Sequence, residues 1–88
     1  MPPANLEVTL SLTGRRVTFT KDPLEKVHVY RRVPSRSLAW ELVALDARSP
    51  FLDRHLFPPG TTLEYHVQHL TQQNEYRYHS HLVQLTVE

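Results

Sequence analysis

Trp40-Glu-Leu-Val-Ala-Leu45, Ser49-Pro-Phe-Leu-Asp53, Pro58-Pro-Gly-Thr-Thr-Leu-Glu-Tyr-His-Val-Gln-His-Leu70 and Val83-Gln-Leu-Thr-Val87 are the segments on which the fold turns. In the third, Leu63, Tyr65, Val67 and His69 alternate with Glu64, His66 and Gln68. A period of two marks a strand with one face buried. Pro58-Pro59-Gly60 ahead of it is a sharp turn, and Gln72-Gln-Asn-Glu75 after it is a loop tip. Val83, Leu85 and Val87 alternate in a closing strand.

Working back to the start, Leu6, Val8, Leu10 and Leu12 alternate with Glu7, Thr9 and Ser11. Thr13-Gly14 turns the chain, and Val17 and Phe19 mark a second strand. Val27 and Val29 mark a third, opposite Lys26, His28 and Tyr30, and it ends near Arg32. Pro34-Ser-Arg-Ser37 is a turn. Leu38 to Leu45 contains good helix formers. It is assigned as a strand because its neighbours are strands and Trp40, Leu42 and Ala44 can share a face. Phe51 to Leu56 is a short strand or an irregular crossing. The reading is all-β: seven short antiparallel strands in an immunoglobulin-like β-sandwich. The expected core is Val8, Leu10, Val17, Phe19, Val27, Val29, Trp40, Leu42, Leu56, Tyr65, Val67, Val83, Leu85 and Val87. Trp40 is expected to be its largest member.

Eighty-eight residues make one domain, read as a flexible tail over 1–5 and a folded unit over 6–88. A chain this short buries only about 60–65% of its unfolded surface. There is no cysteine, so neither a disulfide nor a thiolate metal site supplements the core. A net charge of +1 is too balanced to imply nucleic acid as a partner. No stretch approaches the roughly 18 consecutive apolar residues of a membrane span, and membrane insertion is not expected. Met1-Pro-Pro-Ala-Asn5 has neither the basic cluster nor the apolar stretch of a secretory signal. An extracellular or virion location is expected only for a module of a larger assembly.

The pattern resembles a fibronectin type III domain from roughly Leu6 to Val87. Val27-His-Val-Tyr-Arg31 resembles that family's third-strand motif, and Phe51-Leu-Asp53 its Tyr-x-Asp. Leu56 to Val67 resembles its Leu-x-Pro-Gly-Thr turn with the strand that follows, and Ser80 the serine that opens its last strand. The chain lacks the family's second-strand Trp, with Phe19 nearest to it, and has Leu63 at the corner-tyrosine position with Tyr65 two residues later. The resemblance implies a rigid spacer or binding surface rather than an enzyme.

No paired carboxylates, nucleophile elbow or phosphate-cradling loop is present, so neither catalysis nor a cofactor is expected. Four of the six histidines lie between residues 66 and 81. His69, His79 and His81 are expected on one pleat face at one end of the fold, where imidazoles suit Zn, Cu or Ni. Six imidazoles also raise the formal charge from +1 toward +7 on acidification. Tyr30, Arg32, Arg36, Tyr76, Arg77 and Tyr78 are of the types enriched in binding hot spots. They make a candidate contact surface with the loops 33–37 and 71–78. The expected function is a non-catalytic structural or protein-interaction module, such as a spacer or a surface or virion assembly component. Its partner is a protein or a second copy of itself. The alternatives are a glycan-binding accessory domain, with tyrosines or Trp40 as stacking platforms, and a metal-binding or pH-sensing histidine cluster.

Overall fold

The computed structural model describes residues 5–88, and most of the expected N-terminal tail lies outside them. Eight strands follow in order: β1 (Leu6–Ser11), β2 (Gly14–Phe19), β3 (Lys26–Arg32), β4 (Glu41–Ala44), β5 (Phe51–Asp53), β6 (Thr62–Leu70), β7 (Tyr76–His79) and β8 (Val83–Thr86). All pairings are antiparallel. One sheet has the order β1-β2-β5. The other has the order β4-β3-β6-β7, with β8 also on β6. No helix occurs among the described residues.

The count of eight, where the sequence reading expects seven, comes from the C-terminal edge. Both β7 and β8 pair with β6. Their registers differ by one residue, so the edge carries an extra residue between His79 and Val83. Ser80 makes the break: its hydroxyl accepts the Val67 N–H at 3.0 Å, where a backbone carbonyl would otherwise serve. A side chain that mimics the ladder lets the strand bend without orphaning a buried donor. Residues 76–78, expected in a loop, belong to β7. The strand expected over 38–45 is shorter, Glu41–Ala44.

The buried cluster joins Leu6, Val17 and Phe19 of the small sheet to Val27, Val29, Leu63, Tyr65 and Val67 of the large one, with Ala47 between. Both sheets therefore bury one face against a common core. On β3 and β6 every second residue is buried, as the alternation requires. Val17, Phe19, Val27, Val29, Tyr65 and Val67 are core as expected, and Val8, Val83, Leu85 and Val87 pack at its margin. Trp40 does not belong to it: it precedes β4 and lies half-buried on the outside of the large sheet. Leu10 and Leu42 are exposed, and Leu56 is 86% exposed in the crossing before the Pro-Pro-Gly turn.

Each end of the core is closed by polar side chains. At one end Asp53 Oδ2 accepts Tyr65 Oη–H at 2.5 Å and Arg31 Nη1 at 2.7 Å. Arg15 lies 3.3 Å from the same oxygen and donates Nε–H to the Tyr65 hydroxyl at 3.0 Å. The Tyr65 hydroxyl thus binds a carboxylate, where a tyrosine corner would bind backbone. Burial alone raises the Asp53 carboxyl, but the bonds from Tyr65 and Arg31 outweigh it and hold the group below the usual carboxylate range. At the other end Glu25 accepts bonds from the Asp22 N–H, Tyr78 and Arg77, and faces His69 Nδ1 at 3.2 Å. Its burial too is outweighed, chiefly by the Asp22 N–H and Tyr78, so its carboxyl is held below its ordinary value.

Candidate binding face

The outer face of the large sheet is built from the residues that alternate with the core. Lys26, His28, Tyr30 and Arg32 face outward on β3, and Thr62, Glu64, His66 and Gln68 on β6. Register sets Tyr30 directly opposite His66. Their rings stack in parallel, 5.0 Å apart and 6° from coplanar. Trp40 meets His66 edge-on, with centroids 4.2 Å apart and an interplanar angle of 82°. The Tyr30 and Trp40 rings therefore stand nearly at right angles. His79, opposite Gln68, brings a second imidazole 6.2 Å from His66. Tyr76 Oη and His79 Nδ1 are hydrogen-bonded at 2.5 Å.

Arg32 fixes this array in place. Its guanidinium lies 4.3 Å over the Trp40 ring, bonds Glu64 at 2.6 Å and donates to the Leu38 carbonyl at 3.1 Å. Cation–π and charge-assisted contacts of this kind hold a half-exposed tryptophan in one orientation. Beside the rings lies an open groove of about 440 Å³, lined by Tyr30, Trp40, His66, His79, His81 and Leu82 among others. Burial, then the neighbouring His79 and Arg32, lower the pKa of His66 and so favour the neutral ring.

The expected histidine triad does not converge. His69 points into the core, fully buried, and stacks on Tyr78 with centroids 4.4 Å apart. His79 pairs with Gln68 on the opposite face, and exposed His81 lies past the strand break. Adjacent residues on a strand point to opposite sides, and the actual register pairs His69 with Tyr78 rather than His79. Glu25 is an acceptor only, so His69 donates from Nδ1, and its Nε2 is buried without a hydrogen-bond partner. Among the described residues no group of three or more His, Cys, Asp or Glu is placed to hold a metal.

The expected Tyr/Arg surface divides. Tyr30, Arg32 and Tyr76 flank the groove. Arg77 and Tyr78 turn away from it to Glu25. Arg36, in the 33–37 turn, sits 5.9 Å over the Phe57 ring. Sequence reasoning overlooked His66 and misplaced Trp40. The alternation did carry the signal for His66, since it lies opposite in phase to Tyr65 and Val67. Comparison with family models, curated proteins and solved structures finds no match to this chain.

Proposed function

We propose that this chain is a non-catalytic interaction module of fibronectin type III-like architecture, which engages a protein partner through the outer face of its large sheet. The observation that carries this reading is the ring array of Tyr30, Trp40, His66 and His79, held beside an open groove on the outer face of the large sheet. Tyr and Trp dominate binding hot spots, and side chains already fixed in place lose little entropy on binding. Counting β7 and β8 as one interrupted strand gives seven strands in sheets of three and four, which supports the architectural part. The non-catalytic part is supported by the lining of the groove, which brings imidazoles together but no carboxylate to work with them.

A glycan ligand is the second reading, favoured by the half-exposure of Trp40, since sugar rings stack on aromatic faces. Screening the chain against peptide and oligosaccharide arrays tests both. Binding to either array should be lost in Tyr30→Ala and kept in Leu12→Ala, whose side chain is fully exposed at the β1–β2 turn. Ligands indifferent to Tyr30→Ala, or none on either array, would overturn the reading of this face.

A further inference from the structure

The groove is rich in imidazole and lacks a free acid. Neither nitrogen of His66 has a hydrogen-bond partner among the described residues, although the ring is held between Tyr30 and Trp40. His79 spends Nδ1 on the Tyr76 hydroxyl. His81 lines the same groove. The acids nearby are already committed: Glu64 to Arg32 on the outer face, and Glu41 to Arg31. Farther along β3 the outward polar side chains are Lys26 and His28, and His28 Nδ1 accepts the Asp46 N–H. Protonation therefore adds positive charge to His66 and His79, 6.2 Å apart, where no carboxylate among the described residues is bonded to either ring.

We propose that this groove docks an acidic peptide segment, with a carboxylate seated on His66 and His79 and a neighbouring apolar side chain on the Tyr30 and Trp40 rings, and that docking tightens as the medium acidifies. The proposal rests on the reading of the outer face as the binding surface. A carboxylate supplies charge-assisted hydrogen bonds to imidazolium, which are stronger than neutral ones. By linkage, a ligand that favours protonated imidazole binds more tightly as protons become available, by at most tenfold per pH unit for each proton taken up.

Trp40, the only tryptophan, reports on the site because it touches His66. Its emission is followed while adding a heptapeptide of Asp and Glu around one Leu, and in parallel its Asn/Gln counterpart. Titrations are run at about pH 7.5 and 5.5, each at about 50 and 300 mM salt. The acidic peptide should bind about tenfold or more tightly at the lower pH, weaken in high salt, and outcompete its uncharged counterpart. His66→Gln and His79→Gln should each reduce the pH dependence, and the double variant should abolish it. His79 is exposed, so its variant tests the idea even where His66→Gln fails to fold. Equal affinity at both pH values, or an unchanged pH dependence in His79→Gln, overturns the proposal. Equal binding of both peptides, abolished by Tyr30→Ala, overturns it while leaving the outer face as a binding surface. Binding that survives Tyr30→Ala overturns both.

Discussion

Replacing Asp53 by Ala tests the central claim about how the core is closed. The carboxylate is 3% exposed and lies against two guanidinium groups, at 2.7 Å from Arg31 and 3.3 Å from Arg15, which are 5% and 4% exposed. Truncation leaves Arg15 with the Tyr65 hydroxyl and the His55 carbonyl, and Arg31 with Glu41, an exposed carboxylate. Breaking a buried pair by removing one partner costs about 3–5 kcal/mol, because a desolvated charge is stranded. An 88-residue domain is stable by roughly 4–13 kcal/mol in total, at 0.05–0.15 kcal/mol per residue. Asp53→Ala should therefore remove a large share of the stability. Tyr65→Phe removes one hydrogen bond to the same oxygen and should cost about 1–3 kcal/mol. The two changes should be strongly non-additive, since they share a partner. Urea unfolding followed by Trp40 emission measures all three variants. A loss below about 1.5 kcal/mol for Asp53→Ala, under the cost of a single ordinary buried hydrogen bond to charge, would falsify the account of a charge-dependent end cap. The same group sets part of the acid limit. Its folded pKa lies below its unfolded value of about 3.9, so its stabilisation is complete above that value and lost as pH falls through the lowered one. Asp53→Asn should flatten that part of the acid limb.

Gly14 opens β2 at a φ of 152°, and a Cβ there would fall on the carbonyl oxygen of Asp53. Gly14→Ala should cost about 1–3 kcal/mol by forcing β2 from β5, and more than Gly60→Ala, where the added methyl meets open space; thermal melts of the pair decide this. Trp40→Ala should cost about 1–2 kcal/mol, less than Leu63→Ala at about 2–5 kcal/mol, because Trp40 is half-buried outside and Leu63 is fully buried; chemical denaturation of the two, with a second probe for the Trp40 variant, checks the order. Stability should also decline in mild acid on account of His66. Its folded pKa lies below an unfolded value of about 6.5, so its contribution is intact above that pH and is lost as pH falls through the lowered value. Urea midpoints between about pH 7.5 and 5 should show this decline in the parent and less of it in His66→Gln.

The period-two alternation alone determined that the chain is all-β, because side chains on a strand must alternate and one set must leave water. It placed β1, β2, β3 and β6 and chose the buried face of β6, where Leu63, Tyr65, Val67 and His69 line up as read. Hydrophobicity was a poorer guide to burial. Trp40 looks like core by composition, yet it belongs to the outside because Arg32 and His66 provide a platform there. Arg15, Arg31 and Asp53 look like surface by composition. They are buried because β2, β3 and the residue before Arg54 converge at one end of the core, where each charge finds its opposite. Which histidines meet was decided by register, which sets Tyr30 opposite His66, Gln68 opposite His79 and His69 opposite Tyr78. Local sequence fixes which side of a strand a residue occupies; only the pairing of distant strands fixes its neighbours, and the groove of Tyr30, Trp40, His66 and His79 is made of such pairings.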